Sequence, residues 1–275
     1  MPTTKLAYLA PPRCKNDMKS QPNNKKQPPR CPPAPTPSTF YNTHAASFSA
    51  TRQAPWQGWY QLLPLLQKRT HLRVLDIGAG NGRFYDFLIK NSPPNLHELE
   101  YVALEPSQEL INIAKARIRS QQKENTLKNT TVHFIKTSFP INNLLISSAF
   151  DEQYKILTIG FNLIVAFGVF HHIETSSQRV EFLTQMKTLL TDDGIGVVTL
   201  WEIKKHPTFT KRVVRNLGNN NYILNWQNDD TAQRFYHYIT QTEEERLVEQ
   251  SKINIINSFY ADGKSKNLNK YLIFS

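Results

Sequence analysis

Cysteine is nearly absent from this 275-residue chain: Cys14 and Cys31 are the two it has, both near the start. With no histidine close by they cannot complete a four-ligand zinc site. The rest of the chain offers no thiol to pair with, so neither a metal nor a disulfide framework is expected. Also missing is any run of 18 uncharged apolar residues, which excludes a membrane-crossing helix from the expectations. The apolar stretch Leu6–Ala10 is shorter than the roughly 7–15 residues a secretory signal requires. The many prolines around it argue against an amphipathic transit helix. A cytoplasmic protein without a membrane partner is the resulting expectation.

Acidic residues are scarce at the beginning as well. Residues 1–40 carry Lys5, Arg13, Lys15, Lys19, Lys25, Lys26 and Arg30 against Asp17 alone, a net +6. Taking this from the whole-chain +11 leaves +5 for residues 41–275, so the charge excess belongs mostly to the tail. That stretch also holds ten of the 17 prolines and no tryptophan. Too little apolar surface is present there to offset chain entropy, so residues 1–39 read as a disordered basic tail and 40–275 as the folded domain.

What is present is organised around Val74-Leu-Asp-Ile-Gly-Ala-Gly-Asn-Gly-Arg-Phe84. Leu72, Val74, Leu75 and Ile77 make a buried parallel strand with Asp76 near its carboxyl end. Gly78, Gly80 and Gly82 follow at alternate positions, and Phe84, Phe87 and Leu88 open a helix. Strand, glycine turn and helix bring bare backbone and a helix N-terminus against a ligand. The dinucleotide pattern G-x-G-x-x-G fails, because Arg83 stands at its third glycine. Asp-x-Gly-x-Gly-x-Gly instead resembles motif I of the class I S-adenosylmethionine-dependent methyltransferases. That resemblance implies S-adenosyl-L-methionine as cofactor, Asp76 on its methionine-end ammonium, and the glycines against its nucleoside.

Tyr101–Glu105 reads as a second buried strand ending in an acid, 23 residues past Gly82. A carboxylate there can accept both hydroxyls of a ribose. Ser107 is the expected N-cap of a helix over Gln108–Gln122. Val132–Lys136 is strand three; Ser138 stands near where the resembled family commonly has an aspartate that reads the adenine amino group, and its hydroxyl is the candidate replacement. Phe161–Phe167 is strand four and runs into His171-His172 at the ligand-binding edge of a parallel sheet. A helix over Gln178–Leu190 and strand Ile195–Trp201 complete the alternation. A basic insertion follows, with Lys204, Lys205, His206, Lys211, Arg212 and Arg215. Thr242 and Glu245 predict a capping box, and Ile253–Phe259 with Leu268–Phe274 a closing hairpin. Before motif I, Phe40–Phe48 and Trp56–Leu66 read as two short helices. The predicted architecture is α/β, a doubly wound, Rossmann-like seven-stranded sheet of the class I methyltransferase type.

Several segments carry a closer resemblance: Tyr41-Asn, Ala46, Phe48-Ser-x-Thr-Arg52, Pro55-Trp56, His171-His172, Trp201, Arg234-x-Tyr-His237 and Asn267. Together, over about residues 40–275, they are similar to the family that methylates the carboxymethyl group of tRNA wobble uridines. That family includes the methyltransferase half fused to an AlkB-like domain in animals. Asn162 stands where the family has an aspartate on strand four, which predicts altered cofactor affinity. The resemblance implies Arg52 on the acceptor carboxylate and His172 positioning it or the uracil. Arg234 and His237 fall in the substrate segment, while Lys204, Lys205 and Arg212 would follow the RNA backbone. A carboxylate is ionised at neutral pH, so its methylation needs no general base. Three readings stay open: a tRNA-modifying methyltransferase with tRNA as partner, a methyltransferase of a small acid or metabolite, and a catalytically silent partner subunit. All leave room for a small activating protein.

Overall fold

The computed structural model describes residues 36–122, 127, 129–141, 151–226 and 229–275. The expectations for residues 1–35 and for part of the connection 139–160 lie outside them. The seven-stranded sheet has the order β3-β2-β1-β4-β5-β10-β9. Its strands are β1 (His71–Ile77), β2 (Glu98–Leu104), β3 (Asn129–Ile135), β4 (Phe161–Ala166), β5 (Leu190–Trp201), β9 (Ile255–Ala261) and β10 (Asn269–Phe274). β1 to β5 are parallel neighbours, and β10 is antiparallel to both β5 and β9, the expected closing hairpin.

Side-chain alternation along these strands builds two cores. Leu75 and Ile77 of β1 join Ile164 and Ala166 of β4 on one face, with Phe182 and Met186 packed above them. Leu72 and Val74 join Leu163 and Val165 on the other, under Trp59, Phe84 and Phe87. A central sheet apolar on both faces has to be covered by helices on both. Those helices are α2 (Arg83–Lys90), α3 (Gln108–Gln122), α4 (Ser176–Thr188) and α5 (Gln241–Ser251), preceded by α1 (Pro37–Ala50). None of the described helices is long and apolar enough to cross a membrane.

Helix α1 begins at Pro37, where the fixed φ of proline suits the first turn, with the side chain of Thr36 as its cap. The ordered body therefore takes in residues 37–39, assigned to the tail by composition. The second predicted helix is a 3-10 segment, Gln57–Leu62, followed by one α-turn, Leu63–Leu66. Ser107 caps α3 as expected, its Oγ accepting from Leu110 N–H at 3.2 Å. For α5 the cap is Thr240, which accepts from Glu243 N–H at 3.2 Å, not Thr242. The Glu243 carboxylate cannot close a capping box because Arg179 and His237 already hold it.

The basic insertion forms a 3-10 turn (Ile203–Lys205) and a short helix (Phe209–Arg212) and leads, at Arg215, into a separate antiparallel sheet: β6 (Val213–Gly218), β7 (Asn221–Trp226) and β8 (Asp229–His237). Asn219 and Asn220 between β6 and β7 have φ of 48° and 61°, the doubly left-handed corner that a tight hairpin requires. This sheet and α1 pack together through Phe40, Trp226 and Ala232, with Tyr41 and Phe48 alongside. They close over the carboxyl ends of β1 and β4, where the order of the main sheet reverses.

Candidate active site

A cavity of about 450 Å³ opens at that reversal. Gly78 and Gly80, Glu105, Ser138, Tyr41 and His172 are among its lining residues. A smaller cavity of about 50 Å³ adjoins it, lined by Asp76, Asn81, Arg83 and Phe84; Phe48, Gly78, Gly80 and Phe167 border both.

Glu105 ends β2 with its carboxylate buried. Its Oε2 accepts from Gly80 N–H at 3.0 Å and its Oε1 from Ser107 N–H at 2.9 Å. Ionised, the group has about four acceptor positions, so two remain for a pair of hydroxyls. Burial raises its pKa to about 7, against the pull of those two backbone bonds. Asp76 is also buried and accepts from the Tyr101 hydroxyl; burial moves it to about 7 as well. Two carboxylates placed where ionisation is costly suit a cationic ligand that would repay the cost.

The three motif glycines do different work. A Cβ on Gly78 would lie 2.4 Å from Val169 Cγ2, on the loop leading to His172, and its φ is +70°. On Gly80 it would meet Phe48 Cε1 at 3.6 Å. Gly82 lines neither cavity; its Cβ would face Ala114 Cβ at 3.2 Å, so it lets α2 approach α3. Both Gly78→Ala and Gly82→Ala place alanine at positive φ and should lower stability by about 1–2 kcal/mol. Cofactor affinity should fall strongly only for Gly78→Ala. Urea melts and titration calorimetry on the pair would show the split; equal affinity losses would mean that Gly78 is not a cavity wall.

The acceptor side is built by α1 and the small sheet. His172 Nδ1 lies 2.8 Å from the Phe235 carbonyl, which can only accept, so the proton sits on Nδ1. Its Nε2 then accepts from the Tyr41 hydroxyl at 3.1 Å, and Tyr41 in turn accepts from Arg234 Nη1 at 3.2 Å. Burial, reinforced by the Arg234 charge, drops the His172 pKa to about 3, so the ring is neutral. His171 lines neither cavity; it is buried against Trp201 and Tyr236.

Arg52 lies over the rings of Phe48 (4.0 Å) and Trp226 (4.7 Å), and Arg234 lies 4.9 Å from the same Trp226 ring. Burial lowers the Arg52 pKa to about 10, and the charges of Arg234, Arg83 and Arg212 add to this. Arg212 is shifted down by partial burial and by Arg234. None of these three guanidiniums is in an ion pair with a described carboxylate. Arg52, Arg212 and Arg234 are not themselves cavity walls; Arg52 stands behind Phe48 and Arg234 behind Tyr41.

Two predicted positions lie elsewhere. His237 is buried between Asn221 Oδ1 (2.6 Å) and Glu243 Oε2 (2.8 Å), a bracing contact between the small sheet and α5. Asn162 sits at the start of β4, the far end from the cavity, accepting from Arg73 N–H at 2.9 Å. It therefore has no direct bearing on cofactor affinity. Lys205 pairs with Glu202 at 2.8 Å and Lys204 donates to Asn220 Oδ1 at 3.0 Å, both on the surface beside the small sheet.

Residues 75–195 match a family described as a methyltransferase domain. The chain carries a methyltransferase domain, and its fold is that of the class I, S-adenosylmethionine-dependent methyltransferases. It is 22% identical over 200 residues to a protein of Encephalitozoon cuniculi provisionally named a methyltransferase, covering 72% of this chain and 77% of that one. It is 25% identical over 165 residues to the tRNA (carboxymethyluridine(34)-5-O)-methyltransferase ALKBH8 of Mus musculus, covering 60% of this chain and 20% of the mouse protein. The fold is similar to a solved S-adenosylmethionine-dependent methyltransferase of Clostridium acetobutylicum, with TM-score 0.54 at 13% identity, covering 86% and 97% of the two chains.

Proposed function

We propose that this methyltransferase acts on the carboxylate of a carboxymethyl group on a tRNA wobble uridine, turning it into a methyl ester. The observation that carries the reading is the cluster of Arg52, Arg212 and Arg234, positive and without partners among the described carboxylates, with Arg52 and Arg234 behind the wall of the cofactor cavity. The buried Nε of Arg234 and the buried Nε1 of Trp226 also lack acceptors. A planar anion is the ligand such donors take. The 25% identity to part of the mouse enzyme points to the same class of acceptor.

The residues then divide the work. S-adenosylmethionine supplies an electrophilic methyl group: the S–CH₃ bond breaks, an O–CH₃ bond forms, and the bonding pair stays on sulfur. Glu105 with Gly78 and Gly80 holds the nucleoside, and Asp76 the methionine-end ammonium. Neutral His172 has no proton to remove, since a carboxylate attacks as it stands; its fixed tautomer orients the Tyr41 hydroxyl. Sulfonium and carboxylate charges vanish together in the transition state, so orientation and exclusion of water supply the rate. Phe48, Phe139 and Phe167 line the cavity and keep it dry. Lys204, Lys205 and Lys211, on the outside of the small sheet, would follow the phosphate backbone.

Single-turnover methyl transfer to tRNA bearing free carboxymethyl groups, read by nucleoside mass spectrometry, tests this. Methyl ester should appear on the wobble uridine. Arg52→Lys keeps the charge but loses the planar fork, and should slow transfer by roughly 10-fold or more while leaving cofactor affinity in place. Absence of ester on the wild type would refute the substrate; equal rates in the variant would remove Arg52 from the clamp.

A further inference from the structure

Asn81 stands between Gly80 and Gly82 and is 2% exposed. Its side chain reaches out of the glycine turn to the end of α1. There Nδ2 donates to the Ser49 hydroxyl at 3.0 Å and to the Arg52 carbonyl at 2.9 Å. A carbonyl can only accept, so the contacting atom is the amide nitrogen, and both of its hydrogens are spent.

Arg52 lies 29 residues upstream of Asn81, in a stretch, 52–54, that belongs to no helix or strand. Three successive carbonyls of this stretch are held from the other side of the turn. Asn81 holds that of Arg52, Arg117 that of Gln53 at 3.4 Å, and Arg83 that of Ala54 at 3.1 Å. The two arginine contacts are open to water, whereas Asn81 is buried. The guanidinium of Arg52 is held less firmly. Phe48 and Thr51, which it touches, sit on the same segment and would travel with it. Trp226 belongs to β7 and offers a ring face rather than a directional bond. The register of Arg52 against the glycine turn therefore depends on Asn81.

We propose that Asn81 is the positioning residue for Arg52: it ties the arginine that takes the acceptor carboxylate to the turn that lies against the cofactor. This rests on Arg52 as the acceptor's arginine and adds the group that aims it. Asn81 touches no reacting atom in this role; it acts through the Arg52 backbone. A displacement of about 1 Å in such a group can cost about 10²-fold in rate.

The test is a double-mutant cycle read by single-turnover transfer to tRNA bearing free carboxymethyl groups. At saturating tRNA, Asn81→Ala should slow transfer by roughly 10-fold while S-adenosylmethionine affinity stays within about twofold of wild type. In an Arg52→Lys background the same change should cost less than about twofold, because little is left to aim once the planar fork is gone. Ser49→Ala removes the other acceptor of Asn81 and should leave the rate near wild type. A second readout needs no acceptor: phenylglyoxal labelling, mapped by peptide mass spectrometry, should modify Arg52 faster in Asn81→Ala and leave Arg234 unchanged. Should Asn81→Ala fail to fold, Asn81→Ser, whose hydroxyl stops one atom short of Nδ2, takes its place. An equal fall in both backgrounds, or an unchanged rate, would show that Asn81 only caps the end of α1 and would overturn the proposal. So would unchanged labelling of Arg52. If wild type esterified no tRNA, the substrate reading would fall, and the labelling alone would decide whether Asn81 holds Arg52.

Discussion

Asp76→Asn should lose most of its affinity for S-adenosylmethionine and yet melt at a higher temperature than wild type at pH 8. The ligand-free Asp76 carboxyl has its pKa raised by burial from 3.8 to about 7. A carboxyl whose folded pKa is raised contributes stability below its unfolded pKa, and that contribution is lost as pH climbs through the folded one. The window therefore runs from about pH 4 to about pH 7. Above it, the fold carries a buried charge whose penalty is on the order of a few kcal/mol. Asparagine keeps the shape and removes the charge. Glu105→Gln should behave alike, since burial takes Glu105 from 4.5 to about 7. In wild type, a cationic ligand favours both ionised forms, so affinity should rise between pH 5 and pH 8 with protons released on binding. Thermal melts at pH 5 and 8, with calorimetry in two buffers of different ionisation enthalpy, measure all of this. Variants that bind normally and melt no higher at pH 8 would show that neither carboxylate faces the cofactor.

The same two residues show how much of the site was legible in the sequence. Asp76 and Glu105 end apolar runs of period fitting buried strands, and each run is followed at once by a turn signal, Gly78 after one and Pro106-Ser107 after the other. Chain-local patterns of this kind survive without knowledge of neighbours. Three-dimensional ones do not. Gly82 belongs to the same repeat as Gly78 and Gly80, but the packing of Ala114 gives it another task. His237 stands in a segment with Arg234, yet β8 alternates: Arg234 lies beside Tyr41 while His237 goes to Glu243. The small sheet was missed because its charges masked short strands; the Gly218-Asn-Asn220 corner was the signal that could have revealed it. Tyr41 is legible as a helix position and as part of the family-like Tyr41-Asn segment, but not as a site residue, because its partners His172 and Arg234 are 131 and 193 residues away.

Arg234→Met should reduce methyl transfer to tRNA by roughly 10²-fold, the effect of losing the orientation of the acceptor carboxylate toward the methyl group. Arg234 is 6% exposed, donates to Tyr41, and lies between 4.9 and 5.8 Å from the rings of Phe40, Trp201 and Trp226. Methionine fills much of that space, so the aromatic packing between α1 and the small sheet should persist. No described carboxylate neutralises the guanidinium, and removing a buried charge without such a partner should leave the variant at least as stable as wild type. A purely structural arginine would behave differently: its loss would lower the melting temperature and disturb cofactor binding through Tyr41 and His172. The decisive comparison is single-turnover transfer beside thermal melting and cofactor calorimetry on the same preparation. A variant with normal transfer would remove the guanidinium cluster from the acceptor site. A variant that is slow, stable and binds cofactor normally places the acceptor anion against Arg234, because no other step of the reaction uses that charge.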